Sequence, residues 1–232
     1  MSEKITCHGI PESNIVNIDE TNIDFEMVSG MTLAGKGDRT VSIKKSGSSS
    51  RCTVLLGVTL SGDKLPPLII FKGQPNGRIA REWNNPEFGY PEDCEYEVQD
   101  KAWIDQVTFL KWIQKVWVDF CTGKGPTYLL MDECVVHKCS ECLRYISSCG
   151  TDVDFIVGGY TGNLQVLDVG INDPFKKHVR AKYEEFMRNG EGKPGRVDVA
   201  RWVSSAWEEI TVDSITNTWR SIGIGNHLIT NN

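Results

Sequence analysis

The sequence contains no long hydrophobic run. Its longest apolar stretches, around Val54–Leu60 and Leu65–Phe71, are shorter than the roughly 20 residues that a membrane-spanning helix needs. The segment from Met1 to Lys4 also lacks the apolar core of a secretory signal peptide. We therefore expect a soluble intracellular protein whose eight cysteines are reduced thiols.

The sequence also lacks an excess of positive charge. It has 25 Lys and Arg against 31 Asp and Glu, which gives a formal net charge of −6. Because phosphate contacts need Lys and Arg, this balance argues against DNA binding over the whole surface. It does not exclude a nuclease, since a metal-binding acidic site carries negative charge by design.

The sequence shows no internal repeat, and its composition is that of a globular protein. The 232 residues, 40% of them hydrophobic, suit one domain of moderate size with a small appendage. We assign residues 1–14 to an N-terminal remnant, 15–190 to the main domain and 191–232 to a C-terminal helical tail. The boundary before the tail is the Gly-rich stretch Asn189–Gly195.

The hydrophobic pattern predicts a β-meander followed by alternating helices and strands. The meander strands are predicted at Ile15–Ile18, Val41–Lys44, Arg51–Leu60 and Leu65–Lys72. The later elements are a helix capped by Asp105, a strand Thr127–Met131, a helix Cys139–Ser148, a strand Val153–Val157, a helix from Asp173-Pro174 to Arg188, and two tail helices, the second ended by Gly223. This order predicts an α/β fold, a mixed sheet flanked by helices.

Three aspartates are candidates for a metal site. Asp19 and Asp132 each follow an apolar run that we predict to be a strand, and Asp168 precedes the helix that Asp173 opens. Carboxylates at strand ends can face a common cleft, and a site made only of carboxylates suits Mg²⁺ or Mn²⁺. The spacing alone fits turn-forming or helix-capping aspartates as well.

Several segments resemble the DDE endonuclease domain of pogo and Tigger-like transposases, which belong to the mariner superfamily. The resemblance covers residues from about 15 to 228. Its motifs are Asn17–Thr21, Thr53–Leu60, Gly62–Gly73, Leu129–Asp132 with His137, Gly159–Thr161, Leu164–Lys176, Ala206-Trp207 and Gly223–Asn226.

The resemblance implies an RNase H-like fold in which Asp19, Asp132 and Asp168 form the catalytic, metal-binding triad. Two Mg²⁺ or Mn²⁺ ions would be the cofactors of DNA cleavage at transposon ends and of joining to target DNA. It further implies a nuclear protein that binds DNA, with homodimerisation left open. The helix-turn-helix DNA-binding module of the family is expected to be missing from this chain. Asp173, five residues beyond Asp168, stays an alternative third ligand.

The positions of several other residues make them candidates for supporting roles. Glu20, His137 and Gln165 would orient the triad, and Lys176, Lys177 and Arg180 would line the DNA channel. An ordinary packed histidine and a solvated helix face are the corresponding structural alternatives.

Three departures from the family pattern favour a second hypothesis. Val166 follows Gln165 where the family has proline, Asp173 stands where it has lysine, and Glu133 stands where it has a neutral residue. The second hypothesis is a domesticated, catalytically inactive protein that acts in DNA binding or protein interaction.

A third hypothesis is a zinc-binding regulatory domain, and it rests on a cysteine cluster. Cys134, His137, Cys139 and Cys142 have metal-like spacing, but zinc modules usually bring two pairs of ligands from separate elements. We therefore expect these cysteines to be partly buried around a helix.

Overall fold

A six-stranded mixed sheet forms the centre of the protein. The computed structural model describes residues 9–27 and 50–224. In spatial order the sheet runs β4-β3-β2-β1-β5-β6. The strands are β1 (Ile15–Asp24), β2 (Arg51–Thr59), β3 (Leu68–Lys72), β4 (Glu95–Gln99), β5 (Thr127–Asp132) and β6 (Thr151–Ile156).

The sheet combines antiparallel and parallel pairs. β1 pairs antiparallel with β2, and β2 pairs antiparallel with β3. The pairs β1–β5, β5–β6 and β3–β4 are parallel. The predicted mixed sheet is therefore confirmed, but the sequence analysis missed β4, whose parallel pairing with β3 extends the sheet beyond a simple meander. The predicted strand Val41–Lys44 lies outside the described residues.

Helices cover both faces of the sheet. They are α1 (Gln106–Trp112), α2 (Val118–Cys121), α3 (Ser140–Ser148), α4 (Thr161–Leu164), α5 (Asn172–Arg188), α6 (Arg196–Glu208) and α7 (Val212–Ser221). A π-helical turn, Ile113–Trp117, joins α1 to α2, and another, Leu167–Ile171, runs into α5. None of the helices in the described ranges is long and apolar enough to cross a membrane.

The predicted cap of α1 is confirmed. The Asp105 carboxylate accepts a hydrogen bond from the Thr108 amide at 2.9 Å, and the Thr108 hydroxyl accepts one from the Asp105 amide at 2.8 Å. This reciprocal arrangement satisfies two backbone donors that the first helical turn leaves unpaired. The end of α7 at Gly223, where φ is +82°, is confirmed as well.

Several predicted boundaries are wrong, including the start of β3, which is Leu68 instead of Leu65. β1 does not end before Asp19, because its pairing with β2 continues from Val16↔Thr59 to Asp24↔Arg51 and satisfies the backbone beyond that residue. β6 begins at Thr151, where it pairs with Thr127. Helical backbone before α5 begins at Leu167 instead of Asp173, since the π-helical turn precedes the helix.

The two faces of the sheet carry separate cores. One core includes Phe175, Trp207 and Trp219 from α5, α6 and α7, all packed on the side of Ile15 and Leu130. The other core packs α1 and α3 on the opposite side and includes Phe109, Trp112 and Trp117. Because side chains alternate along a strand, neighbouring residues of β1 face different cores.

Substitution of Phe175 tests how much the packing of α5 against the first core stabilises the protein. Its ring is fully buried and meets Trp207 edge-on, with centroids 5.8 Å apart. Phe175→Ala should lower the free energy of unfolding by about 3–5 kcal/mol, as measured by urea titration. Met187→Ala is the control, because Met187 is 48% exposed on the same helix and its loss should cost less than about 0.5 kcal/mol. Equal stability of the two variants would contradict the packing described.

Candidate functional site

Asp19 and Asp132 lie at the same level of two neighbouring parallel strands. β1 and β5 pair through Ile15↔Tyr128, Val16↔Leu129 and Asn17↔Leu130. Continuing this offset by two residues brings Asp19 opposite Asp132. Asp132 ends β5, so the prediction of a strand-end carboxylate is confirmed for this residue. Asp19 instead lies within β1 and is only 8% exposed.

Asn172 joins Asp168 to Asp19. The Asn172 side-chain amide lies 2.9 Å from Asp19 Oδ2 and 3.0 Å from Asp168 Oδ1, and it donates to both. Asp168 lies in the π-helical turn and Asn172 opens α5. Asp173 is exposed, so the residue that the fold links to Asp19 is Asp168.

A buried pair of amides fixes the segment that carries Asp168. Asn17 Nδ2 donates to Gln165 Oε1 at 2.8 Å and to the Leu130 carbonyl at 3.0 Å. Gln165 Nε2 donates to the Ile18 carbonyl at 2.8 Å. Sequence reasoning included Gln165 but missed Asn17 and Asn172. The signal for Asn17 was a polar residue inside the apolar run Ile15–Ile18, and the signal for Asn172 was its position in the motif Leu164–Lys176.

His137 connects Asp132 to Glu20. Its Nδ1 lies 2.6 Å from Asp132 Oδ1, and its Nε2 lies 3.0 Å from Glu20 Oε1. The ring is fully buried and lies against Phe109, with centroids 4.9 Å apart. The Cys134 amide donates to the same Asp132 oxygen at 3.3 Å. His137 therefore holds one oxygen of Asp132 and leaves Oδ2 for other partners.

The electrostatics of the two strand carboxylates differ sharply. Burial, followed by the charges of Asp168 and Glu20, raises the pKa of Asp19 to about 8. Hydrogen bonding to His137 lowers the pKa of Asp132 below its ordinary value. Burial would lower the pKa of His137, but the hydrogen bonds and charges of Asp132 and Glu20 outweigh it and raise that pKa to about 10. The site thus concentrates more negative charge around Asp19 than its own side chains neutralise.

These residues fit a divalent cation. The donor set of Asp19, Asp132 and Asp168 consists of carboxylate oxygens, which Mg²⁺ and Mn²⁺ prefer. The buried Oδ1 of Asn172 has no hydrogen-bond partner among the described residues, so an oxygen acceptor next to two carboxylates is left without a donor or cation. A cation beside Asp19 would also offset the repulsion that raises its pKa.

A second grouping of ligand-type atoms involves the other face of the sheet. Ligand atoms of Glu20, Asp132 and His137 lie within 4.8 Å of one another. Both ring nitrogens of His137 are within hydrogen-bonding distance of these carboxylates, and the hydrogen bonds and charges of Asp132 and Glu20 raise its pKa. We interpret this grouping as a buried ion-pair chain that holds Asp132.

The basic residues of α5 lie beside the end of β1. Lys176 and Arg180 line a cleft of about 330 Å³ together with Asn22, Asp24 and Glu26. Arg180 also pairs with Glu184 on its own helix at 3.1 Å. Lys177 is exposed on α5 and does not line this cleft. The predicted DNA-contacting residues therefore share one helix, and two of them, Lys176 and Arg180, line a cleft with acidic residues.

The cysteine cluster does not assemble as a zinc site. Across residues 9–27 and 50–224, the metal-capable grouping that forms contains none of the cysteines. His137 is directed at Asp132 and Glu20. Cys134 and Cys139 are half-buried and Cys142 is buried, as expected for cysteines packed around α3.

Comparison with protein families identifies a match over most of the chain. A model of the DDE superfamily endonuclease family matches residues 49–219. The mouse (Mus musculus) pogo transposable element with KRAB domain is 28% identical over 236 residues, which cover 95% of this chain. The mouse Tigger transposable element-derived protein 4 is 24% identical and covers 90% of this chain. The chain spans only 37% and 39% of these two relatives.

Solved structures share the fold. The Mos1 strand transfer complex superposes with a TM-score of 0.56 at 10% identity, covering 91% of this chain and 52% of that one. The Mos1 mariner paired end complex with Mn gives a TM-score of 0.54 at 10% identity, covering 95% and 55%. These similarities confirm the predicted RNase H-like fold, in which a mixed six-stranded sheet is flanked by helices.

The His137 chain predicts a pH-dependent stability. Because the pKa of His137 is raised on folding, from 6.5 to about 10, its contribution is fully present below pH 6.5 and is lost as the pH rises through about 10. His137→Gln should therefore lower the free energy of unfolding by about 3–5 kcal/mol at pH 6, and by less at pH 10. Urea titrations in EDTA at both pH values measure this difference.

His178→Gln is the matched control, because His178 is 38% exposed on α5. This variant should change stability little at pH 6. A cost of His137→Gln that stays constant from pH 6 to 10 would contradict a protonated, doubly paired imidazole.

Proposed function

Because the chain belongs to the DDE superfamily endonuclease family, we propose that it cuts DNA phosphodiester bonds with divalent metal ions bound by Asp19, Asp132 and Asp168. The observation that supports the proposal is the link between Asp19 and Asp168, whose carboxylates share the Asn172 amide. Asp132 ends the strand parallel to β1, and the printed register, if continued by two residues, brings it level with Asp19.

The side chains of this protein have distinct tasks in the proposed site. Two Mg²⁺ or Mn²⁺ ions, when bound, would supply activation of the attacking water or 3′-OH and stabilisation of charge on the phosphate. Asn172 holds the Asp19 and Asp168 carboxylates towards each other. His137 fixes Asp132 through Oδ1, so that Oδ2 keeps one orientation.

The names of the relatives motivate an extension of the proposal to the DNA partners and to the later step. Structures similar to this chain are a Mos1 strand transfer complex and a Mos1 paired end complex with Mn, and the sequence relatives are pogo and Tigger elements. We extend the proposal to cleavage at transposon ends and joining to target DNA, in the nucleus. Lys176, Lys177 and Arg180 would approach the phosphates, and a separate helix-turn-helix module would add the main DNA affinity. A homodimer is compatible with this scheme.

A second candidate function is DNA binding or protein interaction without catalysis. The observation in its favour is negative charge near the proposed DNA path. Asp24 and Glu26 line the cleft that contains Lys176 and Arg180, and Asp173 is exposed at the start of α5. Acidic residues at these positions repel phosphate and weaken the approach of DNA.

Nicking of supercoiled plasmid in Mn²⁺ tests the enzymatic proposal. Wild-type protein should convert supercoiled to open-circular DNA, and Asp132→Asn and Asp168→Asn should fall to the background without enzyme, because each removes a proposed metal ligand. Asp173→Asn is the matched control, with the same change five residues away, and should nick at least as fast as wild type. If Asp168→Asn still nicked the plasmid and Asp173→Asn did not, the third ligand would be Asp173. A wild type without activity would favour the second candidate.

Asp19→Asn should raise the stability of the metal-free protein and abolish its stabilisation by Mn²⁺. The raised pKa of Asp19 means that its contribution to stability is present below pH 3.8 and is lost as the pH rises through about 8. In EDTA at pH 8, the variant should therefore melt at a higher temperature than wild type. Adding Mn²⁺ should stabilise wild type and leave Asp19→Asn unchanged. This description of Asp19 would be contradicted if the variant melted at a lower temperature than wild type in EDTA. It would also be contradicted if Mn²⁺ raised the melting temperature of the variant as much as that of wild type.

A further inference from the structure

The β5–α3–β6 unit carries a pair of cysteines at the start of its helix. β5 and β6 are parallel neighbours, and α3 is the crossover between them. Cys139 is the residue before the first turn of α3, and Cys142 is the third residue of the helix. The sequence Cys-Ser-Glu-Cys therefore places two thiols on one side of a helix N-terminus. A Cys-x-x-Cys sequence in a βαβ unit is typical of thiol–disulfide chemistry.

The two thiols differ in accessibility and in acidity. Cys139 is half-buried, whereas Cys142 is buried, with 1% of its surface exposed. The Cys142 amide, followed by the Glu141 amide and the Cys142 thiol, outweighs burial and lowers the pKa of the Cys139 thiol below its ordinary value. Burial, followed by the interaction with Cys139, raises the pKa of the Cys142 thiol to about 12. Because the thiolate is the reactive form, Cys139 is the nucleophile of the pair and Cys142 is the thiol that resolves a mixed disulfide.

The side chains of the pair already lie within reach of each other. A hydrogen bond joins the two thiols. The Cβ atoms of residues three apart on a helix are about 5–6 Å apart, and a disulfide needs about 3.5–4.5 Å. Cys142 packs in the second core with Phe109 and Ile146, whereas Cys139 precedes the helix in an extended conformation, with ψ of 123°. A small movement of Cys139 therefore closes the remaining distance.

A second pair of neighbouring thiols, Cys121 and Cys149, lacks this activation. Cys121 is buried, with its sulfur 3.6 Å from the Thr127 hydroxyl and 3.8 Å from the Thr151 hydroxyl. Cys149 follows the last turn of α3, and burial, followed by the charge of Cys121, raises its pKa. The C-terminal end of a helix disfavours a thiolate. Cys149 is therefore a poorer nucleophile than Cys139 at neutral pH.

We propose that Cys139 and Cys142 form a reversible intramolecular disulfide by exchange with a low-molecular-weight disulfide, such as glutathione disulfide. The Cys139 thiolate attacks one sulfur of glutathione disulfide, and one glutathione leaves as a thiolate. Cys142 gives its proton to that thiolate, and its sulfur attacks the Cys139 sulfur. The second glutathione leaves as a thiolate and takes from water the proton that Cys139 gave up. The protein pair is oxidised by two electrons, and one glutathione disulfide is reduced to two thiols.

Thiol trapping in glutathione redox buffers tests the proposal on the full chain. After equilibration at neutral pH, the protein is quenched with acid and alkylated with iodoacetamide in denaturant. Trypsin cleavage after Lys138 and Arg144 then releases a peptide that contains Cys139 and Cys142 and no other cysteine. In oxidising buffer this peptide should lose both alkylation sites and be two hydrogen atoms lighter than the reduced, unalkylated peptide. Dithiothreitol should restore both sites.

Single substitutions separate the two roles. Cys142→Ser should stop the reaction at a glutathione adduct on Cys139, because the resolving thiol is missing. Cys139→Ser should leave Cys142 fully alkylated after denaturation, because the buried thiol does not meet glutathione disulfide. Cys149→Ser is the matched control, since Cys149 is a half-buried cysteine at the other end of α3. It should form the Cys139–Cys142 disulfide as wild type does.

Three outcomes would overturn the proposal. The first is a wild-type peptide of residues 139–144 that stays fully alkylated in oxidising buffer. The second is a disulfide between Cys121 and Cys149 in place of the proposed one. The third is a Cys142→Ser variant that acquires glutathione on other cysteines and none on Cys139. None of these measurements requires DNA or a metal ion, so the nuclease proposal stands or fails independently.

Discussion

The hydrogen bond between the Asn17 and Gln165 side chains is the contact on which the candidate site depends. Both amides are buried, at 0% and 1% exposure, and the bond joins β1 to the segment that follows β6. Further bonds tie the same pair to the Leu130 and Ile18 carbonyls. Breaking such a network leaves buried donors and acceptors unpaired, which costs about 1–3 kcal/mol for each group. Asp19 lies two residues beyond Asn17 and Asp168 three beyond Gln165, so the network sets their separation.

The opposite charges of the site are divided between the two faces of the sheet. On one face Asp19 and Asp168 share the neutral Asn172 amide, and the pKa of Asp19 is raised to about 8 by burial and by neighbouring carboxylates. On the other face His137 lies between Asp132 and Glu20, whose hydrogen bonds and charges raise its pKa. The histidine holds the Asp132 carboxylate and contacts neither Asp19 nor Asp168 in the hydrogen bonds of the described residues. The structure is therefore destabilised where a divalent cation would bind, an arrangement typical of sites built for function at the expense of stability.

How much of the fold and of the candidate site could be predicted from the sequence depended on how far apart in sequence the interacting residues lie. The apolar run Thr127–Met131 and the Asp105 cap are local signals, and both predictions are confirmed. The end of β1 was wrong because its continuation depends on pairing with β2, a contact across residues distant in sequence. Asn172 was missed for the same reason, since its function in the site appears only when α5 packs against β1. The roles of Asp19, Asp132 and Asp168 came from the family resemblance and stay predictions that metal binding must test.

Calorimetric titration with Mn²⁺ at pH 8 tests the central claim most directly, if wild type is compared with Asp19→Asn and Glu20→Gln. Because side chains alternate along a strand, these neighbours in β1 face opposite sides of the sheet; Asp19 bonds to Asn172, and Glu20 pairs with His137. The account predicts that wild type binds Mn²⁺, that Asp19→Asn loses binding, and that Glu20→Gln keeps an affinity within a few-fold of wild type. Binding that survives in Asp19→Asn and disappears in Glu20→Gln would contradict it and would move the metal to the grouping of Glu20, Asp132 and His137.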